Sequence, residues 1–543
     1  MNYYQQRAAL LEHATQVEYG LIVIGGGVTG CGIALDAQSR GIPTLLIEMH
    51  DIASGTSSRS TKLIHGGLRY LKQLEFGLVK ETGRERAVVH HLAPHITIPE
   101  PMLLPIIKGG SMPKWMASMG TLIYDFLAGV KKSERRKVLN KADTLAAEPL
   151  LSGLNVTGGI RYYEYRTDDA RLTMALACTA KAQGTTVLTY TKVVKLMYQA
   201  GEIIGVKVID RFTDKEYILK SEEVINAAGP WVDSIDEQDA DIRKNKLVLT
   251  KGVHIVVDFK KFPIQQAVYF DVGDGRMVFA IPREKKTYIG TTDTKYTGDY
   301  KEPGIEEADK TYLIGCIRTA FPGVTLTVAD IESYWSGLRP LIRQRDSKSP
   351  SAISRKDEVF QSATGLLSIA GGKLTGYRKM AERIVDIVAE RLKLAYDIDT
   401  CQTEFHLLSG GDIAKHGGLD TFIAEMLPVL KAFGLDTNTA ARMIRLYGSN
   451  IHLYEAELKH IDERLASINL PDWQKAQLQY TIKHEFVCKP ADFIVRRTAD
   501  FYFRRAEAEQ YASELIKAMQ LLLGWTDQEY ALYNEEWLLF LKK

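Results

Sequence analysis

Residues 19–48, YGLIVIGGGVTGCGIALDAQSRGIPTLLIE, decide the fold of this chain. Residues 19–24 form a short apolar run that ends in three glycines, which is typical of a parallel strand buried on both faces. Residues 28–40 have the pattern of a helix that a glycine and a proline then stop. Residues 44–48 predict a second strand. Strand, turn, helix and strand within about 30 residues make a βαβ unit.

The glycine turn of this unit has the spacing of a dinucleotide-binding fingerprint, G-x-G-x-x-G, at Gly25, Gly27 and Gly30. The first glycine allows the tight turn, the second lets backbone approach a pyrophosphate, and the third lets helix pack on strand. The helix N-terminus supplies free N–H groups for phosphate oxygens. Glu48 ends the second strand, where an acidic side chain accepts a hydrogen bond from a ribose hydroxyl. The unit therefore predicts a bound dinucleotide.

The fingerprint suits FAD and NAD alike, but its place near the N-terminus, in the only clear βαβ unit, is typical of flavoproteins. Residues 224–231, VINAAGPW, predict a second strand-to-turn passage whose small residues, ending at Gly229, permit close approach to a cofactor. An ordinary strand-to-loop turn explains that segment equally well.

Length, charge and cysteine content limit the classes of protein to which this chain can belong. A length of 543 residues predicts two or three domains, and the net charge of +2 indicates no nucleic-acid partner. The N-terminus has no apolar signal-peptide core, and no run of about 18 apolar residues predicts a spanning helix. The five cysteines are scattered, which disfavours a disulfide framework or a zinc site and favours a reducing, cytoplasmic compartment. They are Cys31, Cys178, Cys316, Cys401 and Cys488.

The pattern of apolar and polar residues changes twice after the βαβ unit. Residues 254–291 hold short β-forming runs separated by turn residues, which predicts a mainly antiparallel sheet that roofs the first domain. From about residue 396, long helical patterns follow, such as AELKHIDERLASI (456–468) and EQYASELIKAMQLLLGW (509–525). A helical C-terminal domain is expected there. Its segment RRTADFYFRR (496–505) suits docking on the cap, a partner chain or lipid.

Residues 54–71, SGTSSRSTKLIHGGLRYL, resemble the flavin-dependent glycerol-3-phosphate dehydrogenases. Five further blocks match in order, so the resemblance spans roughly residues 20–390 and extends more faintly into the helical tail. They are NAAGPWVD (226–233), KGVHIVV (251–257), GTTDTKYTGD (290–299), YWSGLRPLIR (334–343) and GGKLTGYRKMAE (371–382). Two departures are visible: Cys31 replaces a small alanine-like residue, and Gly376 stands where many relatives have threonine.

The resemblance implies an α/β plus α+β fold, with a Rossmann-like FAD-binding domain, an antiparallel-sheet substrate cap and an all-helical C-terminal domain. The FAD-binding domain is expected at 1–395, with the cap interleaved at roughly 80–155 and 245–345, and the helical domain at 396–543. The implied reaction oxidises glycerol 3-phosphate to dihydroxyacetone phosphate. Electrons would pass to a quinone at a membrane surface.

Site residues are carried over from the matching blocks. Hydride removal needs an anchored phosphate, loss of the hydroxyl proton and stabilised charge on the flavin. The resemblance assigns Arg69, Tyr70, Arg355 and Thr375 to substrate binding, and Arg339, Lys373 and His254 to catalysis. It assigns the cofactor to Gly25, Gly27, Gly30, Glu48, Thr56, Ser57, Ser58, Lys62, Ile64, His65, Val193, Gly229, Gly372 and Leu374. No metal site is expected.

The general base is open between two histidines, His65 and His254, since a histidine pKa lies near working pH. His254 is slightly favoured, and its alternation with Val253 and Ile255 puts it on the opposite face of a strand from them. A positive Arg339 or Lys373 would serve instead by lowering the pKa of the substrate hydroxyl. The helix after Gly371 and Gly372 would point its N-terminus at the flavin ring.

Residues 112–137 combine apolar residues at helical spacing with a basic end, KKSERRK. An interfacial helix that seeks acidic lipids has this pattern, and so does a helix docked on the core. The first reading predicts a cytoplasmic protein held peripherally at the inner face of the membrane, and a homodimer is possible. A soluble oxidase that passes electrons to oxygen is the alternative, and a flavin-fold nucleic-acid binder is disfavoured by the balanced charge.

Overall fold

The computed structural model describes residues 2–65, 76–110, 134–239, 247–274, 276–300, 303–342, 358–371 and 373–542. The strands in these residues are β1 Glu18–Ile24, β2 Thr44–Ile47, β3 Leu63–Ile64, β4 Ile98–Ile107, β5 Lys137–Leu139, β6 Val156–Arg166, β7 Thr186–Leu188, β8 Thr191–Gln199, β9 Glu202–Asp210, β10 Glu216–Asn226, β11 Leu247–Asp258, β12 Ala267–Asp271, β13 Met277–Arg283, β14 Lys286–Gly290, β15 Thr294–Lys295, β16 Ile331–Ile342, β17 Glu358–Gln361 and β18 Leu367–Ala370.

The α-helices in the same residues are α1 Tyr3–Ala14, α2 Val28–Ser39, α3 Phe76–Leu92, α4 Lys141–Ala147, α5 Asp169–Ala182, α6 Val232–Asp236, α7 Glu307–Ala320, α8 Tyr377–Leu392, α9 Leu419–Lys431, α10 Thr437–Tyr447, α11 Ile451–Lys459, α12 Asp472–His484, α13 Asp500–Phe503, α14 Arg505–Leu523 and α15 Asp527–Leu541. A π-helical turn, Asp492–Arg497, precedes α13.

The predicted βαβ unit is present and forms the centre of the first sheet. The strand order is β17-β18-β10-β1-β2-β7, and β8 and β9 extend the sheet from β10. β1 pairs in parallel with both β10 and β2, so the glycine turn after β1 lies at the carboxyl ends of three neighbouring strands. Ligands of open α/β sheets bind at this position.

One face of this sheet is covered by helix α2, which packs against α5 and α8. The side chain of Cys31 is fully buried in this core, where burial raises the pKa of its thiol well above its ordinary value. Gly32 faces Tyr377 and Ala381 of α8, and a Cβ at Gly32 would lie 2.9 Å from the Tyr377 ring. Cys31, the position that departs from the family's alanine-like residue, is therefore part of the packed core.

The second sheet is the predicted cap. Its order is β15-β11-β14-β13-β12-β4-β6-β3, with β16 on β11 and β5 on β6. Its pairs are antiparallel except β12 with β4, which run parallel. Helix α7 covers one face, where Val253 and Ile255 are buried. The prediction of a Rossmann-like domain with a mainly antiparallel cap is confirmed.

The C-terminal helical domain, α9–α15, is also confirmed, but one of its predicted helices was wrong. Residues 456–468 do not form one helix: α11 ends at Lys459 and only a 3₁₀ turn, Glu463–Leu465, follows. The Asp462 side chain accepts a hydrogen bond from the Arg464 N–H and starts that turn. A local side-chain cap therefore overrides the helical spacing of the apolar residues.

The segment 496–505 docks on the cap and does not end the domain, since α14 and α15 follow it. Tyr502 and Phe503 pack on Trp335 of β16, with ring centroids 5.1 and 6.0 Å away. Within the ranges that the structure describes, no helix is long and apolar enough to span a bilayer. Residues 112–133, most of the predicted interfacial segment 112–137, lie outside those ranges.

Candidate cofactor and substrate site

A long cleft opens at the carboxyl ends of β1, β2 and β10. Its volume is about 860 Å³, and it runs from the end of β2 to the 3₁₀ turn that precedes α8. The predicted residues that line it are Gly25, Gly27, Glu48, Thr56, Ser57, Val193, Gly229, Lys373 and Leu374. The structure thus brings together predicted residues from six separate parts of the chain at the carboxyl ends of these strands.

The three fingerprint glycines differ in what surrounds them. Gly25 has a positive φ of 116°, and a Cβ there would lie 2.6 Å from the Ala227 carbonyl oxygen. A Cβ at Gly30 would overlap the Gly25 carbonyl oxygen. Gly27 has an ordinary extended backbone, and its Cβ would meet only the Ser57 hydroxyl at 3.3 Å. Gly25 and Gly30 are therefore needed by the protein itself, whereas Gly27 leaves open space at the N-terminus of α2.

Glu48 lies on the floor of the cleft and is 8% exposed. Its two carboxylate oxygens accept hydrogen bonds from the N–H groups of Gly26, at 2.7 Å, and His50, at 2.8 Å. Burial raises the pKa of this carboxyl, and the two N–H groups partly offset the effect. The Ser54 hydroxyl also donates to Oε1, at 3.5 Å, and Oε2 keeps a further lone pair with which it can accept from a ribose hydroxyl.

The segment after β2 joins the cleft to the cap. The Ser57 hydroxyl accepts the Val28 N–H at 2.9 Å and so caps the start of α2. The Thr56 hydroxyl donates to the Leu338 carbonyl of β16 at 2.7 Å. Ser58 lies beneath this segment, buried and outside the lining.

Lys62 lies behind the same segment, only 1% exposed. Its ammonium group donates to Asp169 at 2.5 Å and to the Ser58 carbonyl at 3.1 Å. The side chains of Ile64 and His65 also lie outside the cleft lining. Cofactor contacts of these three residues stay a prediction.

Replacing Asp169 by asparagine is expected to destabilise the protein by about 3 kcal/mol, because it removes the carboxylate to which the buried Lys62 ammonium donates directly. Thermal unfolding measures the loss. The matched control is Asp386→Asn, since Asp386 also pairs with an arginine at 2.6 Å but its side chain is 60% exposed. That control should change stability by less than about 0.5 kcal/mol. Equal losses in the two variants would contradict the role of Asp169 as the counter-charge of Lys62.

His254 lies on the face of β11 opposite Val253 and Ile255, as predicted. Its ring stacks on Trp335 with centroids 4.9 Å apart, and its Nε2 lies 3.0 Å from the Thr61 hydroxyl. Burial, then the positive charges of Arg339 and Lys62, hold the pKa of His254 well below its usual value. The imidazole is therefore neutral at neutral pH.

This burial has a consequence for stability as pH falls. The unfolded chain takes up a proton on His254 below a pKa of about 6.5, and the folded protein does not. From about pH 7.5 to about pH 5.5, wild type should lose about 1.4 kcal/mol relative to His254→Gln. Paired thermal melts at both pH values measure the difference. If the gap between the two proteins stays constant with pH, His254 is not held neutral.

Arg339 is fixed on the cap beside His254. Its guanidinium donates to the Thr291 hydroxyl at 2.8 Å and to the Thr292 carbonyl at 3.1 Å, and it pairs with Asp293 at 3.3 Å. Its side chain keeps 30% exposure. Arg339 is thus oriented by the residues around the end of β14 while its remaining surface is accessible to a ligand.

Lys373 lines the cleft, and the neighbouring Thr375 is buried, its hydroxyl donating to the His65 carbonyl at 3.1 Å. Helix α8 begins at Tyr377, after a 3₁₀ turn at Leu374–Gly376. A Cβ at Gly376 would meet nothing within 4 Å, so a larger side chain fits there. Arg69, Tyr70, Arg355 and Gly372 lie outside the described residues.

Several lining residues were not predicted. Lys192 and Arg211 come from β8 and the turn after β9, and no sequence motif marks them. Trp231, Asp299 and Tyr300 also line the cleft, and the first two lie inside matching blocks that could have pointed to them. Among the residues described, no group of three or more metal-ligating side chains is present.

Comparison with known protein families identifies the class of protein to which this chain belongs. The model of the FAD dependent oxidoreductase family matches residues 21–378, and the model of the C-terminal domain of alpha-glycerophosphate oxidase matches residues 401–530. The fold and the cleft thus define an FAD-dependent oxidoreductase.

Individual relatives narrow the class. An aerobic glycerol-3-phosphate dehydrogenase of Staphylococcus aureus is 49% identical over 525 residues, which cover 96% of this chain and 93% of that protein. The crystal structure of the glycerol-3-phosphate dehydrogenase from Bacillus halodurans complexed with FAD is 42% identical, with a TM-score of 0.86 over 99% of this chain and 97% of that one. The chain belongs to the family of aerobic, FAD-dependent glycerol-3-phosphate dehydrogenases.

A more distant structure shares the fold alone. The L-alpha-glycerophosphate oxidase of Mycoplasma pneumoniae is 17% identical, with a TM-score of 0.55 over 68% of this chain and 95% of that one.

FAD is the cofactor of this protein, and the cleft fits it. The open space at Gly27 suits a pyrophosphate at the start of α2, and the buried Glu48 carboxylate suits a ribose. Both features lie in the lining of one cavity, as binding of a single dinucleotide requires.

Proposed function

We propose that this protein oxidises sn-glycerol 3-phosphate to dihydroxyacetone phosphate. The 49% identity to a glycerol-3-phosphate dehydrogenase, over 96% of the chain, carries the proposal. Bound FAD supplies the acceptor for the hydride that leaves C2 of the substrate.

The protein's own groups supply the rest of the chemistry. His254, neutral because it is buried, is the proposed base that accepts the hydroxyl proton at a ring nitrogen. Lys373 in the cleft lining and Arg339, which lies on the cap beside His254 and outside that lining, are the proposed positive charges that lower the pKa of the substrate hydroxyl and stabilise charge on the flavin.

Substrate selection is proposed to rest on the phosphate. Arg69 and Arg355 are the proposed phosphate ligands, with Tyr70 and Thr375 as hydrogen-bonding neighbours, and a guanidinium fork suits a phosphate dianion. An amino-acid substrate would need one carboxylate-binding arginine, whereas several cations suit a phosphate better.

We further propose that the electrons pass to a quinone, with the protein held at the cytoplasmic face of the cell membrane. Oxygen is the alternative acceptor. Residues 112–137 are the proposed lipid contact. We also propose that the protein forms a homodimer.

Steady-state turnover with glycerol 3-phosphate tests both activity and acceptor. A short-chain quinone should support rapid oxidation with little hydrogen peroxide formed in air. Stoichiometric peroxide without added quinone would make the protein an oxidase. Failure to oxidise glycerol 3-phosphate with either acceptor would overturn the proposed substrate.

A further inference from the structure

An ion pair buried between two domains holds the loop that carries Glu48. Asp51 of this loop and Arg497 of the C-terminal helical domain are both 0% exposed. The Arg497 guanidinium donates two hydrogen bonds to the Asp51 carboxylate, at 2.6 and 2.7 Å. Arg496 donates to the same carboxylate. Burial alone would raise the pKa of Asp51, but Arg497 and Arg496 hold it below its usual value, so the pair is ionic.

Contacts within the C-terminal domain also hold the two arginines in place. They lie in the π-helical turn Asp492–Arg497, and Arg497 also donates from Nε to the Glu485 carbonyl at 2.9 Å. Arg496 pairs with Asp492 at 2.6 Å, and Asp492 accepts the Tyr190 hydroxyl at 2.7 Å. A buried network with every member bonded is rigid and costly to break.

On its inner side the loop touches the fingerprint turn. The Ala53 N–H donates to the Gly26 carbonyl at 3.0 Å, and Glu48 accepts the Gly26 N–H. Glu48, Met49, His50 and Ser54 line the cleft, whereas Asp51 faces away from it. The loop is thus a wall of the cleft, with the glycine turn on one side and the helical domain on the other.

We propose that the C-terminal domain sets the affinity for FAD through this contact: Arg496 and Arg497 are positioning residues that press the loop 48–54 against the glycine turn. The inference rests on the proposed placement of the FAD ribose at Glu48. It gives the helical domain a part in cofactor retention. Since the loop carries none of the proposed catalytic residues, turnover of the flavin-loaded protein should be unchanged.

The test measures the rate of FAD release from the full-length holoenzyme, at a temperature where circular dichroism shows all variants folded. Arg497→Lys and Arg496→Gln should each release FAD at least about tenfold faster, with turnover per bound flavin within about twofold of wild type. Arg378→Lys is the matched control, since Arg378 makes a similarly buried bidentate pair with Glu85, at 2.8 and 2.7 Å, and neither residue bonds to the loop or to the two arginines. It should release FAD within about twofold of the wild-type rate.

Two outcomes overturn the inference: release within twofold of wild type in both arginine variants, or equally fast release in the control. If Arg497→Lys cannot be purified folded, Arg496→Gln decides, because Arg496 is partly accessible and its loss removes only one bond to Asp51. A Glu48→Gln variant separates the ribose placement from the role of the arginines. If it too retains FAD normally, the ribose placement is wrong; if it alone loses FAD, only the role of the arginines is wrong.

Discussion

Replacing Gly27 by alanine is expected to weaken FAD binding at least about 100-fold, or about 2.7 kcal/mol, while the apoprotein stays as stable as wild type. The backbone at Gly27 has φ −77° and ψ 174°, which alanine adopts without strain. The new methyl group would meet only the Ser57 hydroxyl, at 3.3 Å, and would occupy the space in front of the α2 N-terminus. Titration of apoprotein with FAD, beside a thermal melt without FAD, measures both effects.

Gly30→Ala is the informative comparison. Its methyl group would overlap the Gly25 carbonyl oxygen, so the helix itself must shift, and stability and FAD binding should fall together. Normal FAD affinity in Gly27→Ala would place the pyrophosphate elsewhere. A Gly27→Ala apoprotein that melts as early as Gly30→Ala would show that Gly27 serves packing and not cofactor binding.

Replacing Lys373 by methionine is expected to slow flavin reduction by glycerol 3-phosphate by about 10²–10³-fold. The substitution removes an ammonium group from the cleft lining while the length of the side chain is kept. Anaerobic stopped-flow measurement at saturating substrate isolates this reductive step from reoxidation.

Lys379→Met serves as the control, since Lys379 is on the same segment but pairs with Glu382 outside the cleft. Its reduction rate should stay within about twofold of wild type. A similar loss in both lysine variants would mean that the charge acts at long range or through the fold. An unchanged rate in Lys373→Met would remove Lys373 from the catalytic group.

The parts of the fold predicted best are those where spacing and chemistry act locally. The run of residues 19–48 combines an apolar strand, a glycine turn and a helix, and each follows from neighbouring residues alone. Cap strands and C-terminal helices were also predicted. The break after Lys459 was not, because a single Asp462 side chain starts a new turn inside an otherwise continuous helical pattern.

Site residues that belong to a local motif were likewise predicted, whereas those placed by long-range contacts were not. Gly25, Gly27 and Glu48 belong to one local motif, and the structure places them in one cleft. Lys62 could not be placed from sequence, since its position depends on Asp169, more than 100 residues away. Lys192 and Arg211 reach the cleft only through the sheet topology. The pair of Asp51 with Arg497 joins residues 446 positions apart, and no periodicity signals such a contact.

The most direct test of the proposed activity is an anaerobic addition of glycerol 3-phosphate to the purified, yellow protein. We expect the flavin absorbance to be lost rapidly and completely, whereas glycerol, which lacks the phosphate, leaves the colour unchanged at the same concentration. A flavin that stays yellow with glycerol 3-phosphate would contradict the assigned substrate and, with it, the roles proposed for Arg339, Lys373 and His254.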